Sequence, residues 1–230
     1  AYNGLKWDND DVSKAAFDNL VRTCPSEAWK HQEQILSVIV PQVQLPALVT
    51  DEKDPEVIAA TYKAIAGDTN AFEAKDEANV RLTLMALLEA WVRAGNTDWT
   101  VSKHLNAAAP VILKDVICRN LVWRVGRVEA TVRMVTLATT HALLRAGSVP
   151  PQTLYACAAE LVPLLCSQLD DNEASMRHMA SLSISVVFDR LKGAFGPQAV
   201  SEMYPMLVKR FDDSNDDVRQ CCIRAMGTFM

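Results

Sequence analysis

Hydrophobic and small residues recur along this chain at spacings of three, four, seven and eight. That period lays one face of an α-helix against a core. The clearest run is Leu161, Leu164, Leu165 and Leu169, and a second follows at Met176, Ala180, Ser183 and Val187. Both return 42 positions later, the first as Met203, Met206, Leu207 and Phe211, the second as Val218, Cys222, Ala225 and Phe229. Three landmarks keep the same offset: Pro163 with Pro205, Asp171 with Asp213, and Arg177 with Arg219. A unit of about forty residues holding two amphipathic helices predicts a helical solenoid, because one hairpin cannot bury both of its apolar faces and stacking covers them.

The connections carry the chemistry of helix starts. Asp170-Asp171-Asn172 and Asp212-Asp213-Ser214-Asn215 stand before the second helix of each unit. Short acidic and amide side chains there cap free N–H groups and meet the positive end of the helix dipole. Ser214 and Asp217 have capping-box spacing. A third copy lies upstream, with Ala108, Pro110, Val111, Ile112 and Val116 in its first helix and Val132-Arg133 opening its second. Its proline and arginine are 23 residues apart instead of 14, which places an insertion at Cys118 to Arg127. Further back, Val80-Arg81 opens a helix with Val80, Leu84, Leu87 and Trp91 on one face, and Asp54-Pro55-Glu56 is a helix start. Asp11-Val12 resembles Asp217-Val218. Val38-Ile39-Val40 lacks the turn-bounded alternation of a strand. The expectation is an all-α superhelix over 1–230 of about ten helices in about five pairs, best defined at 100–146, 151–192 and 197–230. The helix proline bends its helix to follow the stack, and the aspartate and arginine form a polar ladder between units.

Proline in the first helix, aspartate in the turn and Val-Arg opening the second helix resemble HEAT repeats. They stand here at Pro205, Asp213, Val218 and Arg219, and again at Pro163, Asp171 and Arg177, with Met176 in place of valine. The stretches 120–127 (Asn-Leu-Val-Trp-Arg-Val-Gly-Arg) and 204–213, followed by 215–219, are similar to the C-terminal repeats of the HEAT-repeat dynein axonemal assembly factors. That resemblance implies a non-enzymatic cytoplasmic protein that helps preassemble dynein arms, with dynein chains, chaperones or other assembly factors as partners.

Composition narrows the alternatives. Half of the residues are apolar, enough to build a core. The longest apolar stretch, Leu82 to Val92, is broken by Glu89, so no membrane span is expected. Position 1 is alanine, the first twenty residues are polar and acidic, and 223–230 reads as helix without a stop; the chain reads as a piece of a longer protein. Cys24, Cys118, Cys157, Cys166, Cys221 and Cys222 form no C-x-x-C pair, which points to a reducing compartment rather than a disulfide framework. Cys221 and Cys222 are expected on different sides of their helix. His31, His104, His141 and His178 are isolated from one another in sequence, and no metal, phosphate or dinucleotide motif occurs. No metal, no cofactor and no catalytic residue is therefore expected. A net charge of −5 argues against nucleic acid.

Charge is unevenly placed. Residues 118–146 carry five basic side chains and one acidic. Arg119, Trp123, Arg124 and Arg127 fall in that segment, and tryptophan and arginine dominate interface hot spots. An insertion in a solenoid maps to a loop on one face, so these four residues are the candidate partner-binding site. The alternative arrangement folds Trp123 back over the core and leaves the arginines solvated or on helix-end carbonyls. Trp91 is expected in the core; Trp7 and Trp99 are lesser candidates. A second functional reading, a tubulin-binding TOG-type HEAT module, uses Lys6-Trp7 with Arg124 and Arg127. The acidic turns at 170–172 and 212–217 oppose it, since tubulin is itself acidic.

Overall fold

The computed structural model describes residues 19, 23–49, 74–97, 102–124, 126–145, 147 and 149–229. Among these there are helices, turns and bends and no strand. Asp11, Val12 and Asp54-Pro55-Glu56 lie outside the described residues, as do Lys6, Trp7 and Trp99. In chain order the helices are α1 (Pro25–Lys30), α2 (Gln32–Val49), α3 (Ala74–Thr97), α4 (Ser102–Val111), α5 (Arg127–Arg145), α6 (Pro151–Gln168), α7 (Ala174–Arg190), α8 (Pro197–Val208) and α9 (Asp216–Phe229).

The second helices of successive hairpins form a row, α3 against α5, α5 against α7 and α7 against α9. The first helices form another, with α4 and its extension beside α6 and α6 beside α8. The helical spacing produces this directly. Leu161, Leu165 and Leu169 of the α6 unit are buried, as are Met203 and Leu207 of α8. Met176, Ala180, Ser183 and Val187 are buried in α7, and Val218, Cys222 and Ala225 in α9. Pro110, Pro163 and Pro205 all lie inside the first helices on exposed positions. A proline there removes a backbone donor on the side where water can meet the freed carbonyl. In α5 the buried hydroxyls of Thr136, Thr139 and Thr140 donate to the carbonyls four residues earlier at 2.7, 2.8 and 2.7 Å, so none of these three hydroxyls is stranded. Trp91 is fully buried and stacks on Trp29 with ring centroids 3.9 Å apart.

Four local expectations are corrected. α3 is already helical from Ala74, ahead of the expected start at Val80. The segment 118–127 is not one loop, because α4 continues through a π-helical stretch, Ile112–Ile117, and a last turn, Cys118–Asn120. Ile112, Leu113, Val116 and Ile117 of that stretch are all buried. The extra length is thus shared between a longer α4 and an earlier start of α5. Asn215, not Ser214, caps α9: its Oδ1 accepts from the N–H groups of Asp217 at 2.9 Å and Val218 at 3.2 Å. Met206 is exposed, although its counterpart Leu164 is partly covered. Cys221 and Cys222 are both buried, which adjacent helix positions on different sides allow.

Candidate protein-interaction site

The basic segment closes the connection between α4 and α5. Leu121 is buried, and its carbonyl accepts from Gln168 Nε2 at 2.8 Å. That bond ties the start of the turn to the end of α6. The other end is set by Gly126, whose φ is +125°. Glycine adopts this backbone without the Cβ clash that other residues meet. Its carbonyl accepts from the Ala130 N–H at 3.0 Å and opens α5.

Between these anchors Val122 and Trp123 project outward, 43% and 63% exposed. Trp123 does not fold back over the core. One face of its indole is backed by Arg133, whose guanidinium carbon lies 5.8 Å from the ring centroid, within cation–π range. Arg133 is itself fixed: Nη1 donates to the Arg124 carbonyl at 2.8 Å and Nη2 to the Asp171 carboxylate at 3.3 Å. Held this way, an exposed aromatic ring loses little rotamer freedom when a partner covers it.

The four residues singled out from the sequence divide. Trp123 and Arg127 are exposed, the first in the turn and the second at the first residue of α5. Arg119 is half-buried at the end of α4. Arg124 has a side chain only 11% exposed, 3.9 Å from the Glu129 carboxylate. Glu129 also accepts from the buried Arg81 of α3, so Arg124 belongs to an internal charge cluster. Sequence reasoning missed Arg133 and Val122 as part of this surface. Arg133 was visible only as a repeat landmark; that it passes beneath a tryptophan ten residues earlier depends on how the turn closes.

The same edge carries the polar ladder. Arg177 Nε and Nη2 donate to Asp213 Oδ2 and Oδ1 at 2.7 and 2.9 Å. Its Nη1 donates to the carbonyls of Asp171 and Asn172 at 2.9 and 3.0 Å. Asp213 Oδ1 also accepts from the Asn215 N–H at 3.0 Å. The Arg177 hydrogen bonds, with that backbone donor and Arg210, hold the Asp213 carboxyl down at about 2. Arg133 to Asp171 and Arg81 to Glu129 are the earlier rungs. Outside the ladder, Lys209 and Arg210 both reach the exposed Asp170.

Among the described residues no cluster of three or more His, Cys, Asp or Glu side chains could hold a metal ion. No described helix is long and apolar enough to cross a membrane. Burial pushes the thiols of Cys118, Cys166 and Cys222 up to about 12, which disfavours the nucleophilic thiolate. Burial, with Arg145 and then His178 nearby, lowers the pKa of His141.

No family model matches the chain. Three curated proteins are similar to it, each named dynein axonemal assembly factor 5. The Xenopus laevis protein is 22% identical over 185 residues, 76% of this chain. The Mus musculus protein is 22% identical over 152 residues, 66% of this chain. The Homo sapiens protein is 24% identical over 202 residues, 87% of this chain. The matched part amounts to 22%, 18% and 22% of those relatives, so the chain spans about a fifth of their length.

Proposed function

We propose that this chain is an array of HEAT repeats wound into a superhelix, with its best-defined repeats at 100–146, 151–192 and 197–230. It acts as a non-enzymatic scaffold in the cytoplasmic preassembly of axonemal dynein arms. The observation that carries this reading is the likeness to three proteins named for dynein assembly, reaching over most of the chain. The two rows of helices support the repeat reading, and the ladder arginines recur at 133, 177 and 219. The contact is made at the α4–α5 turn, by Trp123 with Val122 and Arg127, on a surface suited to an acidic or partly folded client such as a dynein chain or a companion assembly factor. Arg119 borders that surface, and Arg124 supports it from beneath. Tubulin is not favoured: the turns at 170–172 and 212–217 are acidic, and the relatives are named for dynein assembly.

The test is co-purification from ciliating cells. Trp123→Ala with Arg127→Glu is expected to abolish recovery of dynein chains while leaving far-UV circular dichroism unchanged. Undiminished recovery at unchanged helicity removes this turn from the function. Recovery of tubulin instead of dynein chains moves the protein to the other client.

A further inference from the structure

Six residues before the ladder arginine, two of the hairpins carry an aspartate and the third carries a cation. Asp171 stands six before Arg177 and Asp213 six before Arg219, but Arg127 stands six before Arg133. Where the aspartate is present it does two things. It meets the arginine of the preceding hairpin, as Asp171 does Arg133 and Asp213 does Arg177. It also accepts from the N–H two residues on, Glu173 for Asp171 and Asn215 for Asp213, each at 3.0 Å. At the α4–α5 turn no residue from Cys118 to Val128 is acidic.

Arg81 of α3 is the arginine that this turn would serve. Its side chain is 1% exposed, and its carboxylate comes from within α5, at Glu129. Glu129 takes Nη2, and among the described residues Nε and Nη1 have no hydrogen-bond partner. Arg177, by contrast, places Nε and Nη2 on Asp213 and Nη1 on two carbonyls. A buried guanidinium with two idle donors is costly, and it marks where a further acceptor fits. From Arg119 to Glu129 the chain carries three arginines and one acid, so the local charge favours an anion. α5 has α3 on one side and α7 on the other, so this imbalance is interior to the row.

We infer that the client protein bound at Trp123 supplies the missing carboxylate: one of its aspartate or glutamate side chains enters beside Trp123 and completes the Arg81 rung. This rests on the contact proposed at the α4–α5 turn and names the group which that contact recognises. One oxygen accepts from an Arg81 N–H that Glu129 leaves idle, and the other faces Arg124 and Arg127. Arg124, 3.9 Å from Glu129 and 11% exposed against 1% for Arg81, is the outer member of the cluster and turns outward to admit the acid. Interface side chains commonly change rotamer on binding. A carboxylate is the group chosen because the two complete turns fill the same place with one, and its two oxygens suit guanidinium donors.

The test places the photo-crosslinker p-benzoylphenylalanine at position 122 of the full chain in ciliating cells, with the crosslinked peptides sequenced. Isotope-mixed preparations distinguish a second copy. The expected product carries an aspartate or glutamate beside the crosslinked residue, and changing that acid to its amide lowers the yield at least about tenfold. Arg81→Lys keeps a charge for Glu129 and removes the planar fork. It is expected to leave far-UV circular dichroism unchanged and to lower the yield as much. Combined with the amide variant it lowers the yield no further, as the two ends of one interaction should. If Arg81→Lys lowers helicity, Arg81→Gln with Glu129→Gln takes its place and loses the product likewise. No product with any protein removes the contact at this turn and the inference with it. A product without an acid at the crosslink, a phosphorylated residue there, a second copy of this chain, a yield indifferent to the variants, or losses that multiply overturns the inference and leaves a contact at the turn standing.

Discussion

Arg177 and Asp213 illustrate what a buried ion pair can and cannot contribute. Both side chains are nearly inaccessible, so each gives up hydration that their attraction must offset. What makes the pair tolerable is that its other hydrogen-bonding capacity is filled by the carbonyls of Asp171 and Asn172 and by the Asn215 N–H. Removing one partner leaves an uncompensated charge. Asp213→Ala is therefore expected to cost about 3–5 kcal/mol in urea unfolding, whereas Arg177→Met with Asp213→Leu together costs far less. The pH dependence has a defined sign. The folded carboxyl sits at about 2, below its ordinary value near 4. Its contribution is fully present above pH about 4 and is lost as pH falls toward 2, about 2 kcal/mol at most. Asp213→Asn should flatten the stability profile across that window, measured by denaturation at stepped pH. The thiols give a separate check. Cys24 is exposed while Cys118, Cys166 and Cys222 are buried with raised pKa values. A thiol reagent at pH 8 should label Cys24 within minutes and the other three only as the protein opens.

At the scale of the element, the α4–α5 turn is held by one glycine and one amide. A side chain at Gly126 meets no steric obstacle beyond ordinary contact with Glu129, so the cost of Gly126→Ala is conformational, about 1–2 kcal/mol for a positive φ. That substitution should also move Trp123 off Arg133, read as a change in tryptophan fluorescence, whereas Trp123→Ala forfeits about 0.5–1 kcal/mol of cation–π attraction. The helices of this region were legible in the sequence because periodicity records which residues face a core. The 42-residue offset named the inward faces of α6, α7, α8 and α9 almost residue by residue. Boundaries were less legible. Ser214 and Asn215 both have side chains able to cap, and which one lies at the helix start depends on where Asp213 turns the chain toward Arg177. The π-helical stretch was hidden for a similar reason. Ile112, Leu113, Val116 and Ile117 fit a standard helical stripe, so their spacing does not single out a wider turn. In the candidate site, exposure separated Trp123 and Arg127 from Arg124. Spacing alone could not, because the acid that draws Arg124 inward, Glu129, is shared with Arg81 of α3.

Across the whole molecule, the rows α3–α5–α7–α9 and α4–α6–α8 mean that each hairpin packs mainly on its neighbours. Stability in such a stack is close to a sum of unit and interface contributions. That has a consequence for pairs of substitutions. Gly95 of α3 lies against Trp29; a Cβ there would sit 2.6 Å from the indole nitrogen, which itself donates to the Trp91 carbonyl at 3.2 Å. Gly95→Ala must displace a fully buried ring, at a cost of about 1–3 kcal/mol. Asp213→Ala acts on the α7–α9 interface, two helices further along the row. With no shared partner, the two losses should add within about 0.5 kcal/mol. Asp171 and Arg133 share one rung, so Asp171→Ala and Arg133→Met should couple by about 1 kcal/mol or more. Urea unfolding of the four single and two double variants checks both halves. If the distant pair couples as strongly as the near one, the chain unfolds as one tightly interlocked body and the nearest-neighbour account of its stability fails. If the distant pair adds, damage at α3 leaves the α7–α9 interface intact.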